Sequence, residues 1–581
     1  MDVKLRVTDA PEESSFSDLV SGDNVLSIPL FQRPYRWGAK HLDLLLEDVG
    51  AVSDDVAASV FLGVIVTYSR GTGPGRPVTW EVVDGQQRVT TLYLLIMAAV
   101  EVAARRGGAD WAAAVVGTYL LVRPLASNPV NTKLVPSYAD RAQFASLWTR
   151  VSDLGALKSH VSFTSNLPRP PAASGPLEGD VTKQYARLRR VLNGILDEHG
   201  QEYLEKYVEI VARHLSFVSI SLRDPAVAPK IFERLNARAE PVTIADLVRN
   251  EIFSRSGDDA VQAQHVFMTY WEPFVSKFES ANTDFAKFLF PYGLIGNPNV
   301  RKADLFPELR TRWSSANDPQ EIIADLEQYT DIFLALEGGV FASSLSQSIN
   351  LRLNRIHRVG RPSSVYSFVM QLVEEFRSGG VSEAAVCECL DAIESFLFRR
   401  AYQGIEPTGL HAAFKGLWHE LKKSGAETGA PAVRAALASK PTITWPTNHE
   451  FAAAIASQAL YSKKVANYAV RERELSIKGE TPSDSFVIEH VAPQTETEPW
   501  KVAMGDDYAA LVHTWGNLIP LTLKMNPSVG QKPFLQKKES FADSIFSSAR
   551  HVASTYSEWS SDVVRARNEE ISSWALKRWS H

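Results

Sequence analysis

An acidic residue beside a histidine, followed by two asparagines nine positions apart, provides the parts for metal-assisted phosphodiester hydrolysis. The chain carries this set as Ile488-Glu489-His490, Gly516-Asn517-Leu518 and Asn526. Histidine can take a proton from water near neutral pH, while a carboxylate and an amide oxygen suit a hard divalent ion such as Mg²⁺. The β-rich run from Phe486 to Val491 places Glu489 and His490 on opposite sides of a strand, so one can bind while its neighbour acts. Taken alone, His490 is more often a satisfied strand histidine than a base.

About 400 residues earlier stands a second group. Phe31-Gln32-Arg33-Pro34-Tyr35-Arg36-Trp37 combines two guanidinium groups, an amide and three aromatics, a mixture costly to bury unpaired. It suits either a loop with cation-π contacts or a clamp in which arginines hold phosphate and rings stack. Asp84-Gly85-Gln86-Gln87-Arg88 adds a carboxylate, a flexible glycine, two amides and an arginine. If it opens a helix, free N–H groups there favour an anion, and an Asp-capped turn with solvent-facing glutamines is the competing reading. There is no Gly-x-x-x-x-Gly-Lys-Ser/Thr loop, which argues against a P-loop NTPase.

The elements that must position these residues follow from local pattern. Residues 25 to 31 read as a short strand interrupted by proline, and Phe61 to Tyr68 with Val78 to Val83 as a hairpin around a Gly- and Pro-rich tip. Arg88 to Arg106 reads as a helix stopped by Gly107-Gly108, which sets Asp84 to Arg88 at a strand-to-helix turn. Residues 167 to 180 are proline-rich and predict an exposed loop. From about 182 to 420 helical spacing dominates, apart from a strand at Phe217 to Leu222, and a second break is expected from Lys423 to Pro446. The expected organisation is 1–255, 256–440 as a helical coupling region, and 441–581.

With 581 residues, 45% hydrophobic and 22% charged, the chain exceeds one ordinary core and has the composition of a folded protein. A net charge of -6 argues against an overall basic coat, so contact with nucleic acid must be local. The only cysteines, Cys387 and Cys389, are two apart in a helical stretch and form neither a disulfide framework nor a thiolate zinc site. With no apolar signal region and no long apolar run, a cytoplasmic protein without a membrane segment is expected.

Residues 445 to 545 resemble the C-terminal HNH, or His-Me finger, domain of the GmrSD and SspE families of bacterial anti-phage restriction proteins. The resemblance rests on Glu489-His490, Gly516-Asn517-Leu518, Asn526, Phe534 and Lys537. It implies His490 as general base, Asn517 as the residue positioning it, and Glu489 with Asn526 as ligands of Mg²⁺ or Mn²⁺. The family commonly has an asparagine where this chain has Gln531, which would make that position the competing ligand. Gln32 to Trp37, Asp84 to Arg88, and Ile231 to Asn236 with Asp246-Leu247 and Arg249-Asn250 resemble the ParB-like N-terminal domain of the same families. Ala239 stands where that third motif usually has glycine.

The implied fold is α+β and mainly helical: a ParB-like α/β NTPase domain, a helical middle and a C-terminal ββα-metal nuclease domain. The implied activity is DNA nicking coupled to hydrolysis of GTP or ATP. Gln32, Arg33, Arg36, Asp84, Gly85, Gln86, Gln87 and Arg88 would bind nucleotide, with Asp84 and Arg88 essential to turnover. Phe31, Gln32 and Tyr35 would sense phosphorothioate in DNA. Competing readings are a GmrSD-like enzyme acting on glucosylated hydroxymethylcytosine DNA, a non-catalytic DNA-binding regulator, and an RNA-cutting toxin. DNA and a nucleoside triphosphate are the expected partners, and a homo-oligomer is compatible with two nicks making a double-strand break.

Overall fold

A computed structural model describes residues 11–29, 32–53, 59–69, 77–122, 131–154, 157, 178–222, 243–255, 260–360, 363–425, 428–440, 443–478 and 486–581. The fold is α+β and mainly helical. Two compact units divide the chain, Met1–Thr269 with Asn317–Pro319, and Tyr270–Ala316 with Gln320–His581.

In the first unit a six-stranded sheet is built from β1 (Glu12–Ser15), β2 (Asn24–Ser27), β3 (Val60–Ser69), β4 (Val78–Asp84), β5 (Leu134–Val135) and β6 (Leu215–Leu222). Their order is β1-β6-β3-β4-β2-β5. β3 and β4 are antiparallel, as the alternating apolar runs around a Gly-rich tip predict, and β6 lies parallel to β3 on its other side. The valines and isoleucines of β3, β4 and β6 fill both faces of the central strands, with Ile65, Val66 and Val82 fully buried.

β4 feeds directly into helix α1 (Gln86–Arg105), whose N-cap is Gly85 at φ +93°. Only glycine adopts that backbone without strain, and a Cβ there would stand 2.9 Å from Ile65 Cγ1. The helix ends where Arg106 leaves the helical region and the N–H of Gly108 bonds back to Ala103 O, as the Gly-Gly stop predicts. By length and composition α1 could cross a membrane, but 94% of its apolar window is buried inside the unit. It is a core helix, wrapped by helix α2 (Asp180–Arg213), which bends at Gly200. Each of its buried leucines contributes about 1.5–3 kcal/mol of burial.

The second unit joins the helices after residue 270 to the segment carrying Glu489 and His490. Helix α3 (Glu383–Gln403) explains why residues 441–581 share a core with the helices before them. Its fully buried Arg399 donates to Trp579 O, Pro446 O and Asn448 Oδ1 at 2.7–2.9 Å, and the Phe398 ring lies tilted against Trp579 with centroids 4.0 Å apart. The expected break at 423–446 contains a helix at Ala430–Ala438, started by Pro431 in its first turn. The proline-rich residues 167–177 lie outside the described residues.

Candidate active site

Strand β7 (Phe486–His490) pairs antiparallel with β8 (Leu518–Thr522), placing His490 opposite Leu518 and Phe486 opposite Thr522. Asn517, one residue before β8, is fully buried and has every polar atom engaged. Its Oδ1 accepts from Ala492 N at 2.8 Å and Trp559 Nε1 at 3.1 Å, while Nδ2 donates to Ala492 O and Val512 O at 2.8 and 2.7 Å. One amide therefore ties the turn leaving His490 to the turn entering β8. Gly516 beside it lies against helix α4 (Ser561–Arg578), where a Cβ would fall 2.5 Å from Val564 O. The Gly-Asn pair is thus a close backbone approach followed by a clamp.

His490 is buried at the end of β7, and its Nε2 lies 3.0 Å from Nδ1 of His513. Tyr461 meets the His490 ring edge-on, centroids 4.3 Å apart, and stacks on His513 at 5.9 Å. Burial, then the nearby His513 and Lys537, push the His490 pKa down to about 3. The imidazole is therefore neutral at pH 7, with a lone pair able to take a proton.

Glu489 points to the other side of the strand, where the ammonium of Lys537 donates to its Oε1 at 2.8 Å and to the backbone O of His490 at 2.9 Å. Lys537 is fully buried on the helix Phe534–Ala542 and packs near Trp500. Burial raises the carboxyl pKa of Glu489, and Lys537 opposes that shift. Burial lowers that of the Lys537 ammonium, and Glu489 opposes that.

Asn526 begins a short helix, Asn526–Val529, beyond Thr522, the end of the hairpin away from His490. No hydrogen bond joins its side chain to Glu489 or His490 among the described residues. Its Oδ1 is buried without a hydrogen-bond partner among them, whereas Gln531 is exposed. An orphaned amide oxygen and a carboxylate match the donor chemistry of a hard divalent ion that keeps several waters.

In the first unit the structure draws the expected motifs together but assigns several of their side chains to scaffolding. Gln86 and Gln87 are buried, not solvent-facing. Gln87 accepts from Arg36 N at 2.7 Å and Trp37 N at 3.3 Å and donates to Pro34 O at 3.2 Å, fastening the 34–37 loop to α1. Tyr35 is turned into the core, its hydroxyl 2.8 Å from Thr91 Oγ1 and its N–H on Asp140. That orientation differs from the expected sensing pocket because satisfying the buried phenol outweighs leaving it open. Gln32 donates to Val83 O at 3.0 Å and keeps a buried, unpartnered Oε1 among the described residues. Phe31 and the Ile231–Asn236 motif lie outside the described residues.

Asp84 faces Arg88 across 3.9 Å, and Arg88 also donates to Leu62 O. Burial raises the Asp84 pKa, opposed by Arg88, the Gly85 N–H and Arg33. Arg249, on the helix Ile244–Ser254, is half-buried and feels the charges of Asp246 and Arg36. Arg33, Asp84 and Arg88 therefore form a charged group at the start of α1, and Arg36, whose N–H bonds Gln87 there, lies near Arg249.

The depressed pKa of His490 predicts the acid limb of stability. Its unfolded value is near 6.5, so the folded state gains from the neutral imidazole above that pH and loses this gain as pH falls from 6.5 towards 3. The slope from this one group is at most about 1.4 kcal/mol per pH unit. Urea unfolding at pH 7.5 and 5.0 should show a smaller pH dependence in His490→Asn than in the parent; equal dependence would remove His490 as the source.

Two family models match the chain in the order of its units. The GmrSD restriction endonuclease N-terminal domain covers residues 16–253, and the GmrSD restriction endonucleases C-terminal domain covers residues 445–574. No curated protein matches the chain. The first span contains the Asp84–Arg88 neighbourhood and the second contains Glu489, His490, Asn517 and Asn526. The chain belongs to the GmrSD restriction endonuclease family.

Proposed function

We propose that the protein is an anti-phage restriction effector that nicks DNA at the Glu489–His490 centre. It couples nicking to hydrolysis of a nucleoside triphosphate, GTP in preference to ATP, and to sensing of phosphorothioate in DNA. The observation that carries the nuclease reading is the neutral, buried His490 at a strand end, clamped through Asn517 and adjacent to Glu489, inside the C-terminal family domain. In this reading His490 takes the proton of the attacking water as its oxygen bonds to phosphorus, and the P–O bond to the leaving oxygen breaks. Asn517 holds the base by holding the backbone on both sides of it. Glu489 and Asn526 would hold Mg²⁺ or Mn²⁺, which supplies stabilisation of charge developing on the phosphoryl oxygens.

The charged group of Arg33, Asp84 and Arg88 at the opening of α1, with Arg36 bonded there through its N–H, supports triphosphate binding, because cationic side chains and a helix N-terminus both favour phosphate. Asp84 and Arg88 would act in turnover, and Gln32 would use its remaining acceptor on a ligand donor. Phosphorothioate as the input rests on the family resemblance, and glucosylated hydroxymethylcytosine is the competing input.

The test is one experiment with two readouts. Supercoiled plasmid with or without phosphorothioate is incubated with the protein, Mg²⁺ or Mn²⁺, and GTP or ATP, following open circles and released phosphate. The expected result is metal-dependent nicking with sulfur-dependent turnover that Asp84→Ala removes. Nicking with no sulfur effect would move the input to a base modification; turnover intact in Asp84→Ala would sink the assignment of the nucleotide site.

A further inference from the structure

Two imidazoles, not one, stand at the end of β7. His490 uses Nε2 towards Nδ1 of His513, and its own Nδ1 has no hydrogen-bond partner among the described residues. A 3.0 Å hydrogen bond between two ring nitrogens requires one N–H donor and one lone pair. His513 is fixed independently of His490. Its ring stacks on Tyr461 with 19° between planes, its carbonyl accepts from Tyr461 N at 3.3 Å, and it follows Val512, whose carbonyl is held by Asn517. The same Asn517 side chain holds Ala492, two residues after His490. The clamp therefore sets the distance between the two histidines as well as the base itself.

We infer that His513 is the positioning residue for His490: its Nδ1 accepts the Nε2–H of His490, selecting the tautomer that leaves the Nδ1 lone pair of His490 for water. This rests on the reading of His490 as general base. It assigns His513 the orienting role that a carboxylate plays beside other catalytic histidines, with a neutral acceptor in its place. After proton transfer from water to His490 Nδ1, the resulting imidazolium still donates Nε2–H to His513, so the bond persists through the step and no further proton moves. Without His513 both tautomers of His490 are open, and the ring is free to turn.

Asparagine can present an amide oxygen close to the place of a histidine Nδ1, whereas leucine fills the volume without an acceptor. His513→Leu and His513→Asn are therefore compared in the full chain, together with His490→Ala. Expected for His513→Leu is a fall in kcat of about 10- to 100-fold, the usual effect of losing an orienting partner, with KM for DNA changed less than about 2-fold. His513→Asn should recover kcat to within about 5-fold of the parent, since the acceptor is restored. Imidazole ¹⁵N spectra of histidine-labelled protein should show His490 as the Nε2–H tautomer in the parent and in His513→Asn, and as a mixture in His513→Leu.

Equal kcat in parent and His513→Leu, equal loss in leucine and asparagine variants, or an unchanged His490 tautomer in His513→Leu would overturn the assignment. Retention of nicking by His490→Ala would instead overturn the general-base reading on which it rests. The tautomer spectrum separates the two failures because it reports the His490–His513 bond whether or not DNA is cut.

Discussion

Under the proposed reading of His490 as general base, His490→Ala should lower nicking by about 10²- to 10⁴-fold, the range a positioned general base contributes, while the protein remains folded. The second half of that expectation follows from what surrounds the ring. The Lys537 ammonium bonds the backbone carbonyl of residue 490, which the substitution retains, and Asn517 bonds the backbone of Ala492 and Val512. What is lost is the contact with Tyr461 and the partner of His513 Nδ1, together worth on the order of 1–3 kcal/mol in a unit with many other buried anchors. A melting curve near that of the parent, with open-circle formation at background, is the expected pair of measurements. Retained nicking above about a tenth of the parent rate would mean that another group takes the proton, since no positioned base is worth so little.

Much of this centre was legible because strand alternation separates Glu489 from His490, and a Gly-Asn pair before a second apolar run marks the partner strand. The register of β7 against β8 then follows from two short strands facing each other. The Asp84–Arg88 turn was legible for a similar reason: a β-run ends, glycine permits the turn, and a long apolar helix begins. What local pattern does not carry is which polar side chains are consumed by the scaffold. Gln87 and Tyr35 look like ligand groups in sequence, yet their partners, the 34–37 backbone and Thr91, are about 50 residues away and are fixed only by packing of the loop on α1.

His513 shows the converse. Its position four residues before Asn517 carries no periodic signal, and only the clamp brings it to His490. An aromatic at 461 and a histidine at 513 would have been suspected only by asking what fills the space beside the buried imidazole of His490. The joined core of residues 270–581 was equally hidden, because the Gly- and Pro-rich stretch before residue 446 reads as a boundary. The arginine that crosses it, Arg399, belongs to a helix whose pattern is otherwise ordinary.

Lys537→Met should destabilise the second unit by about 3–5 kcal/mol, the range for breaking a buried ion pair from one side. Lys537 is fully inside and Glu489 nearly so, and the carboxylate would be left facing a thioether with its Oε1 unpaired. The backbone carbonyl of His490 loses its donor in the same step. Glu489→Gln alone should be milder, because a neutral amide can remain bonded to the ammonium. The decisive measurement is therefore the double variant Glu489→Gln/Lys537→Met, in which neither buried charge remains. Urea unfolding should show it recovering at least about 2 kcal/mol relative to Lys537→Met, since most of the single-variant loss comes from stranding a charge and not from losing the attraction. If the double variant is as unstable as Lys537→Met plus Glu489→Gln added together, the pair is not coupled and the lysine stabilises the unit through its stem and its bond to the His490 carbonyl. A coupled pair would also bear on the proposed nuclease reading: Lys537 holds Oε1 of Glu489, so the carboxylate would already be oriented where that reading asks it to hold a divalent ion.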